Sequence, residues 1–269
     1  MTITAERTLS PLTRIAPGIK IAAQISPEAS VDDLQWLRQM GIEDVVLWTD
    51  GEHASPAYYR DRVEYFAGHG LRVYGFGNVD VHNQPSIVLA DEHRDRKIEE
   101  YKNHLRALGA AGIPYTTYAH MPNGIWSTER EATRGGAPAR AFDESVARCG
   151  VWHGVEYNLP MTNDRAYSED EVWENFAYFM QQVMPVAEQE GVMIGIHPDD
   201  PPIARLGEVP RIFSTFDGYV KALEIANSPN AGVCLCVGCW LEGGDLWGKS
   251  VFDAIRHFAA NDQLFKVHF

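Results

Sequence analysis

Imidazoles, thiols and carboxylates recur in this chain close to the ends of short apolar runs. His197 opens the segment His197-Pro198-Asp199-Asp200-Pro201-Pro202, while Cys234, Cys236 and Cys239 crowd together, and His82, His120 and His268 each follow or close a run rich in Val, Tyr or Phe. Neutral imidazole nitrogen, thiolate sulfur and carboxylate oxygen together suit a borderline divalent ion such as manganese, iron or zinc better than calcium or magnesium. Pro198, Pro201 and Pro202 stiffen a loop that carries two carboxylates beside an imidazole, more than a plain turn requires. Asp199 and Asp200 are adjacent and cannot both point the same way from an extended segment, so at most one faces a ligand while the other pins the loop. Cys234 and Cys236 share one strand face, with Cys236 nearer the strand end and Cys239 beyond it. Cys234 also reads as a small buried hydrophobe. His82 and His120 have ordinary readings as rim residues beside the chemical one, and His53, His69, His93 and His104 are given no role.

These groups need a scaffold that brings them to one place. Runs of Val, Ile and Tyr alternate with longer amphipathic stretches, the rhythm of βα units around a parallel sheet. Strands are expected at Ile19–Gln24, Asp44–Trp48, Arg72–Gly77, Tyr115–His120, Val192–His197, Gly232–Val237 and Leu264–Phe269. Helices are expected at Val31–Met40, Tyr58–His69, Asp95–Gly109, Ser168–Glu190, Phe216–Ala226 and Val251–Ala260, with Gly41, Gly70 and Gly191 at their ends and a capping box from Ser168 and Glu171. The fold class is therefore α/β, a (β/α)8 TIM barrel in a single domain over residues 1–269, a size that suits about 250 residues. Seven strands are one short of eight. Since Lys266-Val267-His268-Phe269 stops in mid-strand, a last βα unit is expected beyond Phe269; the alternative is that Gly154–Asn158 supplies the eighth strand. Residues 121–167 form a long insertion after the fourth strand, expected to be an active-site loop. In such a barrel the reactive side chains sit at the C-terminal strand ends, where His120, His197, Cys236 and His268 all fall.

Composition narrows the ligand. Asp+Glu number 37 against Lys+Arg 23, a formal charge of −14, which repels polyanions and leaves no footprint for nucleic acid or an anionic membrane. A small molecule is the expected partner, and self-association at an open sheet edge leaves room for a homo-oligomer. An anionic substrate would need local cations, and Arg130, Arg134, Arg140 and Arg148 are the candidates in the long insertion. Met1 to Gly18 lack the apolar core of a signal peptide, no run approaches the roughly 18 apolar residues of a membrane span, and the cysteine spacing suits neither a disulfide framework nor a paired zinc motif, so a cytoplasmic location is expected.

The segment His197-Pro198-Asp199-Asp200-Pro201-Pro202 resembles the hallmark loop of mannonate dehydratases. The similarity continues through Val81-His82, the helix from Arg94-Asp95-Arg96 to Gly112, the Cys236-x-Gly238 strand and the closing His268-Phe269, and covers most of the chain from about residue 19. The resemblance implies a xylose isomerase-like barrel, Mn2+ or Fe2+ as cofactor, and a lyase (hydro-lyase) of glucuronate catabolism and carbohydrate metabolism, a dehydratase converting D-mannonate to 2-keto-3-deoxy-D-gluconate. Residue by residue it implies metal-binding at His197, Cys236 and His268, with a fourth ligand, an aspartate, beyond Phe269. Dehydration of a 2,3-dihydroxy acid needs a base for the C2 proton, a Lewis acid, and an acid at the C3 hydroxyl. His82, Asp199, Asp200 and Tyr118 are the catalytic candidates, and Arg134, Arg140 and His120 those for substrate binding. The chain departs from the family at Asn83, where Glu is usual, and at Val237 and Cys239, where Thr and Ser are usual. A sugar isomerase or epimerase on the same barrel, and a non-catalytic sugar-acid binding relative, are the competing readings.

Overall fold

The computed structural model describes residues 18–152 and 154–269, so nearly all of the segment from Met1 to Gly18 lies outside the described residues. In chain order the main elements are β1 (Ala22–Gln24), α1 (Val31–Gln39), β2 (Asp44–Thr49), α2 (Pro56–Gly68), β3 (Arg72–Asn78), α3 (Pro85–Leu89), α4 (Arg94–Ala110), β4 (Tyr115–Tyr118), α5 (Glu169–Glu190), β5 (Met193–Ile196), α6 (Phe216–Ala226), β6 (Ala231–Cys236), α7 (Val237–Gly243), α8 (Val251–Ala260) and β7 (Leu264–His268). The seven strands pair in chain order, every pair parallel, with registers such as Thr49↔Asn78, Tyr118↔Ile196 and Cys236↔His268. No helix among the described residues is long and apolar enough to cross a membrane.

Local chemistry explains the boundaries. Ser168 caps α5 through the Glu171 amide while the Glu171 side chain returns to the Ser168 amide, the capping box the spacing predicts. Ser55 caps α2 with Pro56 in its first turn, which starts that helix two residues earlier than its apolar spacing alone suggests. At the other end of α5, Gly191 takes φ +68, and Val192 N–H donates back to the Ala187 carbonyl at 2.9 Å, closing a turn that a Cβ would strain. β1 and β4 are shorter than expected, β1 starting only at Ala22 and β4 ending at Tyr118, while β6 keeps its length but lies one residue earlier, because at Val237 the chain has already turned into α7, a helix the sequence pattern does not announce.

The sheet is curled. β3 and β7 stand four places apart, roughly 19 Å in a flat sheet, yet the Tyr74 hydroxyl donates to the Phe265 carbonyl at 2.7 Å. Tyr74, Tyr115, Met193 and Phe265 pack inside the curl, and Gly75 and Gly195 leave the space that the Tyr115 ring occupies, since a Cβ on either would stand 2.5 Å from it. On the outer face a larger core joins strands to helices, for example Phe76 to Tyr59 at 4.8 Å and Tyr118 to Phe179 at 4.4 Å between ring centres. Each fully buried side chain of α5, such as Val172, Phe176, Phe179 and Val183, contributes about 1.5–3 kcal/mol of apolar burial. The sheet order runs from β1 to β7 with no described strand joining them.

Residues 121–167 carry two small hairpins, Glu131–Ala132 with Pro138–Ala139 and Cys149–Trp152 with Val155–Asn158. Val155–Asn158 therefore pairs away from the main sheet, and the alternative of an eighth barrel strand at Gly154–Asn158 is not what the structure shows. Trp126, Ala147 and Tyr157 of this segment share a small separate core with Leu206.

Candidate metal centre at the strand ends

Alternation along each strand decides which rim groups meet. On β5, Ile194 and Ile196 join the outer core, so His197, the next residue, turns inward. Its backbone N–H donates to the Tyr118 carbonyl at 2.7 Å, and its Nδ1 lies 2.8 Å from the Pro198 carbonyl. A carbonyl only accepts, so Nδ1 carries the proton and Nε2 keeps the lone pair a metal needs. Cys236 ends β6 directly opposite His268 on β7, and the His197 and His268 rings stand 5.7 Å apart. Cys239, on the first turn of α7, comes back to the same spot: donor atoms of His197, Cys236 and Cys239 lie within 4.8 Å of one another, as do those of Asp200, Cys239 and Glu242.

The surroundings push the two thiols in opposite directions. Cys239 hydrogen-bonds to Cys236, and with the His197 and His268 imidazoles beside it Cys236 is held well below the usual thiol range in spite of burial. The same contact, burial, and the carboxylates of Asp200 and Glu242 push Cys239 up. Two imidazoles around one thiolate are a donor set that fits a borderline divalent cation.

The proline-bound loop resolves the two aspartates. Asp199 is almost fully buried, accepts from Phe213 N–H at 2.8 Å, and has its carboxyl pushed up to about 6 by burial, with Arg211 opposing. It pins the loop. Arg211 is equally buried and spans the loop base, donating to Asp200 O at 3.1 Å, Asn123 Oδ1 at 2.8 Å and Gly124 O at 2.8 Å. Asp200 faces outward to an ion pair with Arg140 from the long insertion. Arg140, Asp200, Glu242, Glu144 and Trp126 line a cavity of about 370 Å³.

Other expected site residues lie elsewhere. Tyr118 is fully buried on the outer face between Tyr101 and Phe179, and donates to or accepts from His120 Nδ1 at 2.6 Å. His120 packs against Phe176 and Phe213, where burial pushes its pKa down to about 3. His82 sits edge-on to Trp48 at 4.9 Å with Nδ1 near the carbonyls of Asn78 and Val79. Asn83 is fully buried, its Oδ1 accepting from Met121 N–H at 2.8 Å, beside a second cavity of about 320 Å³. Arg134 lies in an exposed turn. Sequence reasoning passed over Cys239, Glu242 and Arg211. The Cys236-Val237-Gly238-Cys239 spacing was a usable signal for the first; nothing local marks a buried arginine at 211.

The profile of the family described as D-mannonate dehydratase (UxuA) matches residues 28–269. The chain belongs to the D-mannonate dehydratase family. It is 33% identical over 217 residues to mannonate dehydratase 2 of Halalkalibacterium halodurans, covering 74% of this chain and 61% of that relative, so it spans about three fifths of that protein's length. The crystal structure of mannonate dehydratase from Streptococcus suis serotype 2 superimposes with a TM-score of 0.74 at 22% identity, over 94% of this chain and 72% of that one. A xylose isomerase domain protein from Planctomyces limnophilus follows the same fold at TM-score 0.52 and 12% identity, over 89% and 70% of the two chains. The loop, cysteine and histidine that carry the sequence resemblance to the mannonate dehydratases all lie inside the matched span.

Proposed function

We propose that this protein is a metal-dependent hydro-lyase that removes water from D-mannonate to give 2-keto-3-deoxy-D-gluconate, acting in glucuronate catabolism in the cytoplasm. The observation that carries this reading is the convergence of His197, Cys236 and His268 at the ends of three neighbouring strands within a D-mannonate dehydratase family match. Family relatives named for that activity and four free thiols support it. Manganese or ferrous iron bound there would supply Lewis acidity at a substrate oxygen.

The protein's own residues then have separable tasks. The insertion 121–167 acts as the active-site loop, because it delivers Arg140 to the cavity mouth. There the guanidinium can exchange its Asp200 partner for a substrate carboxylate, which it is able to grip with two parallel N–H donors. That exchange frees Asp200 Oδ2 to take a proton. Glu242 lines the same cavity, its carboxyl pushed up by burial and by Asp200, and is placed to hand a proton to a departing hydroxyl. Two carboxyls lining one cavity can divide the tasks of base and acid between them. Asp199 and Arg211 hold the loop rather than touch substrate.

The test is a panel of D-mannonate, D-gluconate, D-altronate and D-galactonate, with ketoses as controls, offered to the manganese- or iron-loaded protein. A 2-keto-3-deoxy product, fastest from D-mannonate, is the expected result. Isomerised sugar without loss of water would favour the isomerase or epimerase reading, and no turnover at full metal occupancy would remove the catalytic reading.

A further inference from the structure

The buried thiol of Cys239 has no place in the reading above, and its position is unusual. Cys236 is the residue just before α7 and Cys239 is the third residue of that helix, so one tight turn folds both sulfurs to the same side. Gly238 lies between them, with its Cα side facing Cys236 Sγ, 3.7 Å from where a Cβ would stand. Both sulfurs are buried, and each lies within 4.8 Å of the other and of a His197 ring nitrogen. Ligands around a tetrahedral ion with bonds of about 2.0–2.3 Å sit roughly 3.5 Å apart, so this triangle needs only small side-chain rotations to close on a cation. A Cys-x-x-Cys turn is also the spacing by which two thiolates chelate one ion. His268, paired in register with Cys236 and 5.7 Å from His197 between ring centres, offers the fourth corner.

We propose that Cys239 is a second thiolate ligand of the centre, giving a donor set of Cys236, Cys239, His197 and His268 that prefers zinc or ferrous iron over manganese. The inference rests on the reading that this rim holds a metal. The preference follows from ligand softness: two thiolates disfavour manganese, a carboxylate and water binder, far more than they disfavour zinc or iron. Asp200 and Glu242, whose carboxyl oxygens lie within 4.8 Å of the Cys239 sulfur, then stand beside the cation.

Cobalt(II) loaded into the metal-free protein tests this without any assay of turnover, because the sulfur-to-cobalt charge-transfer band in the near ultraviolet grows with the number of bound thiolates. The expected wild-type band is that of two thiolates. Cys239→Ser and Cys236→Ser should each reduce it to about half while the visible cobalt bands persist, and Cys239→Ser should narrow the zinc-over-manganese preference by about 10-fold or more. A wild-type band of one thiolate, unchanged in Cys239→Ser and lost in Cys236→Ser, would overturn the inference and leave the His197–Cys236–His268 centre standing. Failure of the wild-type protein to bind cobalt, zinc or manganese would overturn both.

Discussion

Two neighbouring strand ends carry histidines that look alike in the sequence and have opposite fates. At the end of β4, His120 follows Tyr118 by two residues, and both point to the outer face, into the aromatic layer of Tyr101, Phe176, Phe179 and Phe213. At the end of β5, His197 is the residue after Ile196, itself the register partner of Tyr118, and so it points to the inner face toward Cys236 and His268. One step of strand parity separates a packing histidine from a metal-binding candidate. Position at the C-terminal rim is therefore necessary for chemistry but does not select the residue; the face does.

Mutations can break that contrast or sharpen it. The largest effect is expected at the inner face: His197→Ala should weaken metal binding on the order of a thousandfold or more, since binding energy at such sites is shared among few ligands, with the thermal midpoint little changed. Metal content after dialysis, read beside a melting curve, checks both halves, and retained metal would sink the assignment. On the outer face the pattern should invert. Tyr118→Ala removes a fully buried ring and should cost about 3–5 kcal/mol of stability while leaving metal content per folded chain unchanged, as denaturant titration and elemental analysis would show. Loss of metal from folded Tyr118→Ala protein would erase the distinction between the two faces.

Acid should expose the same distinction more gently. Burial lowers His120 and His104 to about 3, against 6.5 for the exposed group, so the unfolded chain takes up protons that the folded one refuses. Their contribution is complete above pH 6.5 and is lost as pH falls toward 3, roughly 2 kcal/mol for each by pH 5. Melting curves between pH 7 and 5 should show a fall in stability that His120→Gln makes shallower. A slope unaltered by that change would mean His120 is protonated in its aromatic surroundings. His104, held between the Tyr59 hydroxyl at 2.9 Å and Thr116 Oγ1 at 3.1 Å, is the second contributor.

Much of this molecule is legible from the chain alone. The alternation of apolar runs locates seven parallel strands, because each βα unit needs a continuous apolar strand and a one-sided helix whatever its neighbours do. Capping chemistry is equally local, so Ser168, Glu171 and Gly191 mark the ends of α5 correctly. The Pro-bounded Asp pair announces a fixed loop, and backbone alternation already requires Asp199 and Asp200 to do different things. Which one does which is a tertiary matter: Asp199 meets the Phe213 amide and Asp200 meets Arg140 only because segments far along the chain are folded against the loop. The same holds for Tyr118 and His120, since a strand with Tyr and Thr on both faces carries no internal label for its inner side, and the curl of the sheet supplies it. Cys239 lies between these cases: its spacing from Cys236 is written in the sequence, but only the turn of α7 brings it back to the rim, and a strand continued through Val237 would have carried it away.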